Sequence, residues 1–182
     1  MKKLIYISLL IFLAPEVFAK TIHVGKDQNI KNIQQALVIA VDGDTVLVSA
    51  GHYHEQNIVI DKSIYFIGIN HPVLDGDNKY EVISIKASGV LVDGFKIINS
   101  GVSSIEDYAG VKVYNSNRAI IRNNILENTF FGIYIQFGSN CLIENNTITA
   151  HSKIEQESGN GIHCWKSDSL RILGNTISGH RD

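Results

Sequence analysis

The phrase Ile121-Arg-Asn-Asn-Ile-Leu126 recurs as Ile143-Glu-Asn-Asn-Thr-Ile148 and Ile172-Leu-Gly-Asn-Thr-Ile177. The steps are 22 residues from Asn124 to Asn146 and 29 from Asn146 to Asn175; a degenerate copy, Val92-Asp-Gly-Phe-Lys-Ile97, lies 29 residues upstream. A second phrase, Gly followed by alternating apolar residues, keeps the same spacing at Gly110 to Tyr114, Gly132 to Gln136 and Gly161 to Trp165. Two phrases in step make one turn of a coil. No apolar segment of helical period separates consecutive copies, which excludes an alternating βαβ fold and a helical repeat. The all-β solution is a parallel β-helix whose turns stack about 4.8 Å apart; the right-handed form is expected.

Aligning the copies gives columns. One reads Gly94, Asn123, Asn145, Gly174, residue types that tolerate positive φ, so each turn is expected to bend there. The next reads Phe95, Asn124, Asn146, Asn175. Stacked asparagines can relay side-chain hydrogen bonds along the coil, so Asn124, Asn146 and Asn175 are expected to form a structural ladder.

At the start, Lys2 and Lys3 precede a largely apolar run from Leu4 to Ala14, and Val17-Phe-Ala19 ends it. This reads as a secretory signal peptide over residues 1–19, too short to span a bilayer, with the mature chain starting at Lys20 and no transmembrane segment after cleavage. Residues 20–45 are read as an N-terminal cap, because Ile30, Ile33, Ala36, Leu37, Ala40 and Val41 have helical spacing and Asp42-Gly-Asp44 stops them. A short amphipathic helix would cover the open first turn. Residues 46–182 are read as β-helix repeats, truncated at the C-terminus because no cap follows Ser178-Gly-His-Arg-Asp182. A net charge of −2 with interspersed signs gives no footprint for nucleic acid. Cys141 and Cys164 fall in apolar columns of different strands and are read as small buried hydrophobes.

Alternation places Val111, Ile133, Ile162 and Val113, Ile135, Cys164 inward, leaving Lys112, Tyr134, His163 and Tyr114, Gln136, Trp165 as outward columns, with Ser84 and Lys86 one turn earlier. Such columns either grip sugar rings or a partner protein, or are solvent-facing ladder residues that stack anyway. The loops at 100–109 and 150–160 carry Glu106, Asp107, Glu155 and Glu157. With His151 and His163 they are candidates to line a cleft of oxygen and imidazole donors, against the plainer reading of solvated loop charge. His52-Tyr-His54 puts two imidazoles on one side of an extended segment; two histidines alone do not make a metal site, and there is no thioether or thiolate cluster for Cu(I). No pair of Asp residues occupies an outward column, and neither Asp93 nor Glu144 builds a constellation, so no catalytic residues are assigned.

The stretch from Gly43 to Glu55, followed by Ile60 to Gly68, resembles the opening of periplasmic right-handed β-helix proteins of the carbohydrate-binding and sugar-hydrolase repeat class, the pectin-lyase-like solenoids. Gly132-Ile-Tyr-Ile-Gln-Phe137, Gly159-Asn-Gly-Ile-His-Cys-Trp165 and Ser178-Gly-His-Arg-Asp182 are similar to the NosD family of nitrous oxide reductase maturation proteins. The resemblance implies a periplasmic, non-catalytic accessory protein that works with the components of an ATP-binding-cassette (ABC) transporter. Its further partner would be nitrous oxide reductase or a copper chaperone, with copper as cargo. The chain departs from that family in being less than half its length. The alternatives are a secreted carbohydrate-binding or polysaccharide-modifying module and a purely structural adhesin-like solenoid.

Overall fold

A computed structural model describes residues 18–103, 105–151 and 158–181. Most of the expected signal peptide, together with Glu155, Glu157 and Asp182, lies outside the described residues. The chain coils into about six turns of a parallel, right-handed β-solenoid with three sheet faces. The first sheet comprises β1 (Thr21–Val24), β2 (Thr45–Val48), β5 (Tyr65–Gly68), β8 (Leu91–Asp93), β11 (Ile120–Arg122), β14 (Leu142–Glu144) and β17 (Arg171–Leu173). The second holds β3 (His52–Tyr53), β6 (Val73–Asp75), β9 (Lys96–Ile98), β12 (Ile125–Glu127), β15 (Thr147–Thr149) and β18 (Thr176–Ser178). The third holds β4 (Ile58–Ile60), β7 (Ile83–Ile85), β10 (Ala109–Tyr114), β13 (Phe131–Gln136) and β16 (Ile162–Trp165).

Each strand pairs in parallel with the strand one turn away, so like side chains stack. Val46, Phe66, Val92, Ile121 and Ile143 form one fully buried column, and Ile58, Ile83, Val111 and Ile133 another. Each such side chain contributes about 1.5–3 kcal/mol by leaving water. At the bend between the first two sheets the asparagines form a ladder. Asn124 Oδ1 accepts from the Phe95 N–H at 2.9 Å, Asn146 Oδ1 from the Asn124 N–H at 3.0 Å, and Asn175 Oδ1 from the Asn146 N–H at 2.9 Å. Their Nδ2 atoms donate to the carbonyls of Val92, Ile121 and Ile143. The bend itself sits in the left-handed region at Gly94, Asn123, Asn145 and Gly174.

The N-terminal segment differs from a simple cap. Thr21–Val24 is the first strand of the seven-stranded sheet, paired with β2 before the helix begins. The helix α1 (Ile33–Ile39) is shorter than its apolar spacing predicts, because the Asn32 side chain caps it by accepting from the Gln35 N–H and the backbone is extended again at Ala40. Ile33, Ala36 and Leu37 bury its inner face against the first turns. No helix among the described residues is long and apolar enough to cross a membrane.

In the last described turn, inward residues lose their cover. Ile172 and Ile177 are nearly half exposed, and Cys164, expected to be buried, is exposed because no further turn is described beyond it. Cys141, one turn inside, is buried, and both thiols are free.

Candidate functional site

The pairing of the third sheet sets Ser84, Lys112, Tyr134 and His163 in one outward column. Tyr114, Gln136 and Trp165 form the other. Outward does not mean exposed here. Lys112 and Tyr134 are only 6% and 4% exposed, and Ser84 is fully covered, which corrects the expectation of a bare surface. The loop before β10 folds back over them. Lys112 Nζ donates to the Asp107 carbonyl at 3.2 Å and lies 4.9 and 4.7 Å from the ring centres of Tyr114 and Tyr134, so two aromatic faces and a carbonyl replace water around a buried cation. Phe131 and His163 close over Tyr134 from the other side. Of the residues in these two columns Trp165 is half exposed, and Lys86, one turn before Tyr114, is exposed as well. Beside Trp165 stands Phe137, not singled out from the sequence because it follows the alternating strand; Lys166 lies 5.6 Å from the Phe137 ring and 5.9 Å from the Trp165 ring.

Under the first loop opens a cleft of about 320 Å³, lined in part by Asn57, Tyr80, Glu81, Tyr108, Lys112 and Tyr114, with Glu106 and Asp107 at its mouth. Glu81, which the sequence reading passed over, is the buried carboxyl of this cleft. It accepts from Tyr114 Oη at 3.0 Å and meets Ser84 Oγ, which also lies 2.8 Å from Asn57 Oδ1. Burial pushes the Glu81 carboxyl above its ordinary range, outweighing the hydrogen bonds from Ser84 and Tyr114 and the nearby charges of Lys112 and Lys86. Burial, and then the Glu81 charge, raises the Tyr114 phenol well above its ordinary value.

A carboxyl with a raised folded-state pKa contributes stability that is complete below its unfolded value of about 4.3 and is lost as pH rises through the folded value. Glu81→Gln removes that loss while keeping the shape. The melting temperature of the variant relative to the parent is therefore expected to climb as pH rises above about 4. Parallel pH profiles for the two proteins would show that Glu81 titrates normally.

The histidines divide. His151 lines a separate cleft with Asn78, Ser100 and Phe130, while His163 hydrogen-bonds Asn160 Oδ1 and packs on Phe131, so the two do not share a donor cluster among the described residues. His52 and His54 do come together, with ring centres 4.3 Å apart, beside Asp75. Elsewhere Arg122 links Asp93 (2.8 Å) and Glu144 (3.8 Å) across three turns, a structural role for both carboxylates. His180 is held by Ser158 and the Gly159 carbonyl.

Stacked parallel turns with three sheet faces define a right-handed β-helix protein. The chain belongs to the right-handed β-helix family, whose model, "Right handed beta helix region", matches residues 81–182. It is NosD-like, being 27% identical over 148 residues to "Probable ABC transporter binding protein NosD" of Pseudomonas aeruginosa. The match takes in 80% of this chain and 35% of that protein, so the chain spans about a third of the length of the curated relative. Two solved structures are also similar. A Parabacteroides merdae protein assigned to the glycosyl hydrolases has a TM-score of 0.48 at 8% identity, covering 79% of this chain and 88% of its own. The pectin methylesterase of Aspergillus niger has a TM-score of 0.35 at 15% identity, covering 91% and 68%. At these values neither bears on activity or substrate.

Proposed function

We propose that this chain is a periplasmic accessory protein that binds partners rather than catalysing a reaction. Its task is to assist copper-site maturation of nitrous oxide reductase together with an ABC transporter. The observation that carries this reading is the similarity to NosD across 80% of the chain. The surface suited to docking lies on the third sheet, where Trp165, Phe137 and Lys166 stand together and Gln136 adjoins them. Rigid aromatic side chains give contact area at small entropic cost, which is what a transient partner surface needs.

The test is Trp165→Ala in the full-length protein, in a strain that depends on it. Partner binding is expected to weaken by about 2 kcal/mol or more, the scale of an aromatic hot spot. Copper loading of the reductase should fall while the accessory protein's abundance holds. Normal loading would remove this face from the docking role.

The cleft beneath the first loop favours a second reading, a carbohydrate-binding or polysaccharide-modifying module. A buried carboxyl among the rings of Tyr80, Tyr108 and Tyr114 has the polar and stacking groups a sugar requires. Binding of an acidic polysaccharide by the parent protein, lost on Glu81→Gln or Trp165→Ala, would favour this second reading over the first.

A further inference from the structure

The sequence carries two i, i+2 pairs one turn apart, His52-Tyr-His54 and Asp75-Gly-Asp77. Parallel pairing of β3 with β6, with Tyr53 opposite the buried Leu74, turns both pairs to the same outer side. Asp77 lies in the left-handed region at φ 52°, so the chain bends there and returns its carboxylate toward β3. The outcome is a compact group. His52 Nε2 lies 2.9 Å from Asp75 Oδ2, His54 Nδ1 lies 2.8 Å from Asp77 Oδ1, and the two imidazoles stack. One ligating atom each from His52, His54 and Asp75 lies within 4.8 Å of the others.

We infer that His52, His54 and Asp75, supported by Asp77, form a site for a divalent borderline transition ion, Cu²⁺ or Zn²⁺. The donor set decides the class of ion. Imidazole with carboxylate suits Cu²⁺ and Zn²⁺; Cu(I) selects thiolate or thioether, which the group lacks, and Ca²⁺ takes six or more oxygen ligands. Geometry supports it. Bonds of about 2.0–2.2 Å keep the donors of one ion within about 4.4 Å of each other, so closing the site needs only a small rotation of the rings. Both rings are half exposed and free to make it.

Asp75 is the fixed point. It is only 7% exposed, and its Oδ1 accepts from the Asp77 N–H and from Asn99 Nδ2, each at 3.0 Å, leaving Oδ2 aimed at the histidines. A carboxylate oriented by outer donors is the usual support of a metal ligand. The inference rests on these side chains and not on the accessory reading, and it is tested without any partner.

Tag-free protein is titrated with Cu²⁺, followed by electron paramagnetic resonance, and with Zn²⁺, followed by calorimetry. One equivalent of either ion is expected, the Cu²⁺ spectrum showing nitrogen couplings from two imidazoles. His52→Ala and His54→Ala should each lower affinity at least about tenfold, and Asp77→Asn about tenfold, with unchanged circular dichroism. His23→Ala and His151→Ala, at histidines outside the group, should change nothing. Absence of stoichiometric binding, or binding indifferent to His52→Ala and His54→Ala, overturns the site.

Discussion

Replacing Asn146 with Ala is expected to lower the stability of the β-helix by about 3 kcal/mol, a loss that urea unfolding would read. The magnitude follows from counting orphans. Asn146 Oδ1 accepts from both the backbone N–H and the Nδ2 of Asn124, and its Nδ2 donates to the Ile121 carbonyl and to Asn175 Oδ1. Its removal strands the Asn124 N–H and the Ile121 carbonyl where water does not reach, at about 1–3 kcal/mol each. Asn117→Ala is the control, since the Asn117 side chain accepts only one bond, from Asn140 Nδ2 at 3.2 Å near solvent. A loss at Asn146 no greater than at Asn117 would mean that the ladder is ornamental to stability.

Gly132→Ala is expected to cost a similar amount, about 2–3 kcal/mol, through overpacking. An added Cβ would sit 2.3 Å from the Gly161 carbonyl oxygen and 2.4 Å from Ile148 Cγ2. The Ile148 methyl can rotate away; the carbonyl cannot. It accepts from the Ile133 N–H at 2.9 Å, so relieving the clash breaks the pairing of β13 with β16. Gly51→Ala is the comparison, because its nearest contact is the Tyr53 ring at 3.1 Å, and it should lose less than half as much. Equal losses in thermal melts would show that the close approach at Gly132 is not the constraint. The Gly-led phrase therefore has a different cause from the Gly and Asn bends. Gly110, Gly132 and Gly161 do not have positive φ; at Gly132 the turns approach too closely for a side chain.

The repeated phrase made the turns, the inward columns and the asparagine column legible because a stacked fold writes its contacts as column identity. What the columns do not encode is what lies over them. Lys112 and Tyr134 occupy outward positions yet are buried, since a loop of irregular sequence folds back on the sheet, and alternation carries no information about loops. Glu81 was missed for the same reason. It precedes the regular strand β7, and its burial depends on Tyr114, 33 residues away. Thr21–Val24 was absorbed into the cap because the helical segment stands between it and its partner, although Thr21-Ile-His-Val24 is echoed by Thr45-Val-Leu-Val48. The acidic half of the His52 and His54 group was readable by aligning adjacent turns, where Asp75-Gly-Asp77 follows at the same i, i+2 spacing.

The ladder bonds from Asn124 to Asn146 and from Asn146 to Asn175 span 22 and 29 residues of chain, yet measure 3.0 and 2.9 Å. The core thus measures only the height of a turn and is indifferent to its circumference. Extra residues enter between β9 and β10 and between β15 and β16, leading into the third sheet, and leave the asparagines in step. Lengthening the chain at those two doorways costs little closure entropy, so descent can extend the loop that roofs the Glu81 cleft without renegotiating the scaffold. The lettering of the binding face and the spine that carries it are free to evolve at different rates.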